Sequence, residues 1–277
     1  MNKMRSKVLV LCLALTFALS IGGVALAKGL VIKGSTTVLP IAQKAAEEFM
    51  KLQPDVNISV SGGGSGNGIK ALIDGNTDIA SSSRFIKDKE ISMAMEKGVF
   101  PVPHRVALDC VVPVVHPTNP LSNVTLDQLK GVYTGAITNW KDLGGDDKQI
   151  VVISRDTSSG TYEVWGKIVL EKEKVTPRAL LQASNGAVVQ AVAKNKYAIG
   201  YIGIGYLNKD VKALTVNNVK ASPATALNGA YPVSRPLFMF TNGWPKGDTM
   251  TFLNFVISPA GQKIVEQEGY VPLYQLK

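Results

Sequence analysis

Cysteine is nearly absent from this 277-residue chain, where Cys12 and Cys110 are the only two. Cys12 falls in an N-terminal stretch expected to be removed. The mature chain then has no second thiol for an internal disulfide, and its stability has to come from a packed core. Histidine is equally scarce, with His104 and His116 alone. No His/Cys cluster of metal-ligand spacing can be assembled from these residues, and no cofactor is expected. A serine nucleophile would have to find its base in one of two histidines that each edge an apolar run; G-x-S-x-G and S-x-x-K are also missing, so enzyme activity is not expected. There is no repeat period, no low-complexity segment and no Lys/Arg block interleaved with aromatics, which argues against a nucleic-acid partner. Long apolar runs are lacking as well. The N-terminal one is broken by Ser20, Gly22 and Gly23 before it reaches the roughly 20 residues of a membrane span.

What that N-terminus does contain reads as a secretory signal. Lys3, Arg5 and Lys7 precede an apolar run from Val8 to about Ala18, and Ala25-Leu26-Ala27 offers small residues for cleavage after Ala27. A retained anchor is the alternative. Lipidation at Cys12 is not expected, because Leu11 before it is not small and the apolar run continues past it. Removing residues 1–27 takes away three basic and no acidic residues, leaving 27 Lys+Arg against 21 Asp+Glu, or +6. This charge is scattered and suits the steering of a small anion toward a cleft. About 250 remaining residues fit one large domain or two smaller ones.

Along the mature chain one pattern recurs: an apolar strand, a loop of small residues, then a helix. Leu30 to Lys33 leads into Gly34-Ser35-Thr36-Thr37 and a helix with a Ser or Thr cap, Pro40 in its first turn, and Ile41, Ala45, Phe49 and Leu52 on one face. Asn57 to Ser61 leads into Gly62-Gly63-Gly64-Ser65-Gly66-Asn67-Gly68 and a helix burying Ile69, Leu72 and Ile73. Ile150 to Ile153 leads into Arg155-Asp156-Thr157-Ser158-Ser159-Gly160-Thr161 and a helical run from Tyr162 to Leu170. A helix start offers backbone N–H groups without acceptors and partial positive charge. Small residues let an oxyanion approach them, and Arg155 adds a fork of permanent donors. A capped helix with Ser158 or Ser159 as the cap is the plain alternative, as a flexible turn is for the glycine loop. That loop is no Walker motif, since Ile69-Lys70 follows where Lys-Ser/Thr is required. Ser65 is placed so that its hydroxyl and the following amides could face a ligand.

Asp78-Ile79-Ala80 is a short strand, and Ser81 and Ser82 after it read as a polar surface turn. Two nearly continuous apolar runs, from His104 to His116 and from Tyr197 to Gly205, have the character of strands buried on both faces and of paired crossings between lobes. Between them lie a helix start at Thr125 to Leu129, an aromatic turn at Asn139-Trp140 and a helix near Gly186 to Lys194. A strand from Pro236 to Thr241 and helices over about 248–257 and 259–268 complete an α/β alternation.

Five motifs in this order resemble one family: Gly34-Ser35-Thr36-Thr37-Val38-Leu39-Pro40, Gly64-Ser65-Gly66-Asn67-Gly68, Asp78-Ile79-Ala80-Ser81-Ser82-Ser83-Arg84, Arg155 through Thr161, and Ala198-Ile199-Gly200-Tyr201. Across the whole mature chain the sequence is similar to the phosphate-binding proteins of bacterial ABC-type phosphate importers, in the periplasmic binding protein superfamily. The resemblance implies a two-lobed α/β fold of type II, each lobe a mixed sheet flanked by helices, with two hinge crossings. Residues 28–105 and 207–277 would form lobe one and residues 106–206 lobe two. It implies a monomeric periplasmic protein that captures inorganic phosphate and delivers it to a membrane-embedded ABC permease. Carried over motif by motif, the ligand would be held by Thr36, Thr37, Ser65, Ser83, Arg155, Ser159, Gly160 and Thr161, with Arg155 the lone arginine of the cleft. Ser83 stands where many members place an aspartate that accepts phosphate's proton, which puts discrimination against sulfate or molybdate at issue. Arg84 would add charge beside the site, lie in solvent or brace the lobes. Asp156 is placed to pair with Arg155.

Overall fold

The computed structural model describes residues 29–274, so the expected leader lies outside the described residues. The chain opens with β1 (Leu30–Gly34), α1 (Leu39–Leu52), β2 (Ile58–Gly62), α2 (Ser65–Ile73), β3 (Ile79–Ser82), α3 (Asp88–Glu96) and the 15-residue β4 (Pro101–Val115). There follow β5 (Asn123–Val124), α4 (Leu126–Thr134), a 3-10 turn (Trp140–Leu143), β6 (Val151–Arg155), α5 (Gly160–Ile168), β7 (Leu180–Gln182), α6 (Asn185–Ala193), β8 (Ala198–Gly203) and a second 3-10 turn (Ile204–Tyr206). The described chain ends with β9 (Lys212–Ala213), β10 (Thr215–Val216), α7 (Pro223–Leu227), β11 (Ser234–Asn242), α8 (Gly247–Ile257) and α9 (Pro259–Gln267).

Local chemistry accounts for most of these boundaries. In α1, Pro40 occupies the first turn, where its missing N–H costs nothing, and Ile41, Ala42, Ala45, Ala46 and Phe49 form one buried face. Its cap differs from the expectation of Ser or Thr. Val38, whose side chain has no acceptor, is the N-cap, and Ser35 Oγ instead accepts from the amides of Thr37 at 3.1 Å and Val38 at 3.3 Å. In α4 the capping box forms as its sequence dictates: Thr125 Oγ1 accepts from Gln128 N and Gln128 Oε1 accepts from Thr125 N. Gly135, at φ 91°, ends that helix.

The strands join in the order β2-β1-β3-β11-β4-β8-β6-β7, with β9 also paired to β4, and β5 and β10 form a separate small ladder. β4 is the shared member. Its residues 101–110 pair antiparallel with β11, and residues 111–115 pair antiparallel with β8. Parallel pairs β1–β2, β1–β3 and β6–β8, β6–β7 flank this seam, so each half of the sheet is mixed.

Two cores follow from this arrangement. Around the first half, Ile32, Ile41, Phe49, Ile79, Val106, Leu237, Phe252 and Val256 pack together, with Ile69, Leu72 and Phe240 in a smaller neighbouring cluster. Around the second, Val112, Val132, Tyr133, Trp165, Tyr201, Val216, Tyr231 and Val233 do so. Residues 207–233 therefore pack differently from the expected return near Gly205. The 197–205 run does reach the first core, where Gly205 lies against the ring of Tyr270. The chain then turns back, because Val211, Leu214 and Val216 are apolar and cover the second core while β9 pairs with Val114 and Val115. The strand that crosses back is β11, starting at Ser234 opposite Cys110.

An aromatic stack supports the second core: Trp165 lies on Tyr201 with centroids 4.4 Å apart and planes 9° from parallel, and Tyr133 meets Trp165 edge-on at 5.2 Å. Tyr201 in turn exchanges a hydrogen bond with Ser154 Oγ at 2.9 Å and accepts from Arg155 N at 3.2 Å. Trp165→Ala should accordingly lower unfolding free energy by about 3–5 kcal/mol, the usual cost of emptying a buried aromatic site. Urea titration reads this as a lower midpoint at unchanged slope; a loss under about 1 kcal/mol would mean that the stack is not a core element.

Candidate functional site

Where strands β1, β2, β3, β6 and β7 end, their loops converge. Gly34 makes this possible in the first loop. Its φ is +140°, and a Cβ there would lie 2.1 Å from the carbonyl of Ser81. In the second loop Gly63 and Gly64, at φ 148° and 102°, aim the start of α2 so that Ser65 is its first residue. Ser81 and Ser82 belong to β3 and are buried, contrary to the surface turn read from their polarity. The strand ladder absorbs their backbone, Ser81 O accepts from Ser35 N, and Ser82 Oγ donates to Arg84 O at 2.8 Å. In the fourth loop Ser159 is the N-cap of α5, its Oγ accepting from the amides of Thr161 and Tyr162. As first residue of α5, Gly160 keeps an N–H with no intrahelical acceptor.

All eight expected ligand residues are buried in one place. Thr37 Oγ1 lies 3.1 Å from Thr161 Oγ1, Arg155 Nη2 donates to Thr36 Oγ1 at 3.3 Å, and the hydroxyls of Ser65 and Ser83 are 3.3 Å apart. Gly160 faces the two serines so closely that a Cβ would lie 2.5 Å from Ser65 Oγ and 2.7 Å from Ser83 Oγ. Arg155, 1% exposed, is held by the carbonyls of Gln182 and Ala183, which accept from its Nε at 3.0 Å and Nη2 at 2.9 Å. Its Nη1 has no protein partner. Burial pulls the guanidinium below the ordinary arginine range, Asp156 and Tyr201 oppose that shift, and the charge of Arg235 adds to it. Asp156 does not pair with Arg155. Its carboxylate turns onto its own loop and accepts from Ser158 N and Ser158 Oγ.

The cluster also holds residues that sequence reasoning missed. Arg235 is a second cleft arginine: its Nη2 lies 2.9 Å from Thr161 Oγ1 and 3.3 Å from Thr37 Oγ1, and Nε and Nη2 donate to Asp109 Oδ2 at 2.9 and 2.8 Å. Its Nη1, too, lacks a protein partner. Burial pushes the Asp109 carboxyl up and Arg235 opposes that shift, while Asp109 Oδ1 accepts from Ile204 N. Asn185, fully buried, donates from Nδ2 to both Thr36 Oγ1 and Thr37 Oγ1 at 3.1 Å. Tyr206 OH donates to Thr36 O at 2.6 Å. A signal existed for the charged pair: Asp109 interrupts an apolar run and Arg235 begins another, and a charge buried in a strand needs a partner.

Arg84 braces the two halves. It holds Glu90 through both terminal nitrogens at 2.8 and 2.7 Å, and its Nε lies 2.9 Å from Glu163 on α5, which also meets Lys87 at 2.7 Å. The histidines bond elsewhere, His104 to Thr241 Oγ1 and His116 to Thr118 Oγ1, so neither is engaged with Ser65 or Ser159. What the cluster offers chemically is a concentration of donors with two buried positive charges, suited to holding an oxyanion by charge-assisted hydrogen bonds.

Comparison with known proteins shows the family. A family model described as a PBP superfamily domain matches residues 23–260. The chain is 34% identical over 250 residues to the phosphate-binding protein PstS of Bacillus subtilis, covering 90% of this chain and 82% of that protein. To PstS of Pseudomonas aeruginosa it is 32% identical over 263 residues, covering 87% and 81%. It superposes with a TM-score of 0.83 on a crystal structure from Clostridium perfringens described as a phosphate ABC transporter substrate-binding protein with bound phosphate, at 35% identity and covering 89% of this chain and all of that one.

Cys110 sits beside Asp109 at the seam between the cores, and its thiol is pushed up to about 12 by burial first and the Asp109 charge second. In the mature protein it should react with a thiol reagent near neutrality at least about a hundredfold more slowly than in denaturant, since only thiolate is nucleophilic. Equal rates in both conditions would mean that the seam opens freely.

Proposed function

The chain belongs to the phosphate-binding proteins of ABC-type importers, within the periplasmic binding protein superfamily, and from that membership we propose that it captures inorganic phosphate between two lobes and delivers it to an ABC permease in the membrane. One observation carries this reading: two buried arginines, each with an unpartnered Nη1, meet threonine hydroxyls from two loops in a single cluster. Thr36, Thr37, Ser65, Ser83, Arg155, Ser159, Gly160 and Thr161 are our proposed ligand contacts, with Arg235 added to them. We place one lobe at residues 29–110 and 234–274 and the other at 111–233, a division supported by the pairing of β4 and by the two cores.

Export follows from membership in a family that acts outside the cytoplasm. Cleavage after Ala27, a periplasmic location and a monomeric state complete the proposal. A binding role without catalysis is part of the proposal and rests on membership in a family of phosphate-binding transport proteins. Selectivity turns on Ser83. Phosphate near neutral pH still carries a proton and sulfate carries none, so only a group able to accept can favour phosphate. Ser65 Oγ already accepts from Ser83 N at 3.0 Å, but the two hydroxyls keep lone pairs open. A serine rotor accepts or donates on demand, which gives a narrower margin over sulfate than a fixed carboxylate would.

Competitive calorimetry tests the proposal. Phosphate should bind and sulfate or molybdate should displace it only at excess; an anion that displaces phosphate at equal concentration would instead be the ligand. Arg155→Ala removes charge-assisted bonds worth roughly 1.5–3 kcal/mol each, so phosphate affinity should fall by about a hundredfold. Arg155→Lys should restore it only in part, because a lysine lacks the planar fork. Binding by Arg155→Ala within about threefold of wild type would put the ligand elsewhere.

A further inference from the structure

Hydroxyl groups can donate or accept, and the neighbours of a hydroxyl decide which. Thr36 Oγ1 receives hydrogens from Asn185 Nδ2 at 3.1 Å and Arg155 Nη2 at 3.3 Å, which occupy both of its lone pairs. Thr37 and Thr161 share one hydrogen bond at 3.1 Å. Asn185 Nδ2 and Arg235 Nη2 point at Thr37, at 3.1 and 3.3 Å, and Arg235 Nη2 points at Thr161 at 2.9 Å. Arg235 Nη2 gives one of its two hydrogens to Asp109 Oδ2 at 2.8 Å, so with the Asn185 hydrogen and the mutual bond counted, three of the four lone pairs of the two oxygens are filled. Thr36 is left with a hydrogen to donate, and so is the Thr37–Thr161 pair. The orientation of the Asn185 amide is not a free choice. Its Oδ1 accepts from the backbone N–H of Gly203 at 3.0 Å, a donor that cannot reverse, so Nδ2 must face the threonines.

We infer that Asn185 is a positioning residue that fixes the proton polarity of the site, forcing the hydroxyl of Thr36 to act as a donor toward a bound oxyanion and leaving the Thr37–Thr161 pair one hydrogen for it. The inference rests on the phosphate-binding reading and deepens it. Asn185 stands at the start of α6, packed with the second core, whereas Thr36 and Thr37 lie in the loop after β1 in the first half. The amide therefore reaches the hydroxyls across the cleft, and the donor wall is complete only when the two halves meet. Acceptance of a ligand proton falls to the Ser65–Ser83 pair, which keeps two lone pairs open.

Asn185→Asp is the decisive variant. Its second carboxylate oxygen would accept where Nδ2 donates, turning the threonine hydrogens away from the ligand and their lone pairs toward it. Against wild type, phosphate affinity by calorimetry should fall by at least about a hundredfold near pH 8. Burial at this fully buried position favours the neutral carboxyl, so that at about pH 5 it again supplies a hydrogen, and the gap to wild type at the same pH should shrink by about tenfold. Asn185→Leu removes the donors without adding an acceptor. It should bind roughly tenfold more weakly than wild type, with a deficit that does not change between those two pH values. Thermal unfolding without phosphate reports whether each variant is folded; if Asn185→Asp is not, Asn185→Leu alone decides. The inference is overturned if a folded Asn185→Asp binds within about threefold of wild type near pH 8, if its deficit is the same at both pH values, or if Asn185→Leu binds like wild type. Failure of wild-type protein to bind phosphate would sink the underlying reading as well. A variant indistinguishable from a phosphate-binding wild type would sink this inference alone.

Discussion

Two guanidinium groups buried in one cluster constrain everything around them. Moving a charge out of water costs several kcal/mol unless partners replace the lost hydration. Arg235 has such a partner in Asp109, which takes two of its N–H groups on one oxygen. Arg155 has none of that kind: among the described residues its bonds go to two backbone carbonyls and one threonine hydroxyl, and no carboxylate lies within ion-pair distance. The cluster thus holds net positive charge in a place closed to water, with N–H groups of both arginines left to point at something. An anion carrying several oxygens meets both needs at once. A neutral ligand could accept those hydrogens but would leave the charge unbalanced.

The fold serves this constraint by bringing strand ends together. In an open α/β sheet, ligands lie beyond the carboxyl ends of the strands, where helix starts also gather. Here the loops after β1, β2 and β3 supply Thr36, Thr37, Ser65 and Ser83 from one side, and the loops after β6 and β7 supply Arg155, Thr161 and Asn185 from the other. β4 is long enough to belong to both halves, β11 begins where the chain enters the first, and Asp109 and Arg235 sit near the point where the pairing of β4 changes from β11 to β8. The charged pair therefore lies at the seam between the two halves as well as in the cluster. Around the mouth, contacts across the cleft are short and specific: Gly66 N donates to Ser158 O at 2.9 Å, and Glu163 meets Arg84 and Lys87. A Cβ at Gly64 would lie 2.3 Å from Ser158 Oγ, so the absence of a side chain is what lets the loops touch.

Much of this was legible in the sequence, for reasons that differ residue by residue. Ile69, Leu72 and Ile73 on α2 announce themselves by spacing, and Thr125 with Gln128 spells out a capping box. Loops of glycine and serine after apolar strands marked where backbone could approach a ligand, and the eight residues named from motifs lie together. Asn185, Arg235 and Asp109 were not legible as a set, because they are separated by 50 residues or more and only the closed topology brings them to the same threonines. Ser81 and Ser82 misled because polarity suggests solvent, whereas a sheet ladder satisfies buried serine backbone as well as water does. The course of residues 207–233 was hidden for a related reason. Strands as short as Lys212–Ala213 and Thr215–Val216 carry too few residues to show a period, and their pairing with β4 and β5 is a tertiary fact.

Because the proposed contacts divide between two halves joined by β4 and β11, an anion that binds them all should favour the closed arrangement over the open one. Small-angle X-ray scattering of the mature protein, with and without saturating phosphate, measures this directly. The expected result is a smaller radius of gyration in phosphate, with no such change in an equal concentration of chloride. Superimposable profiles with and without phosphate, at a concentration where calorimetry reports full occupancy, would contradict a cleft that closes on its ligand.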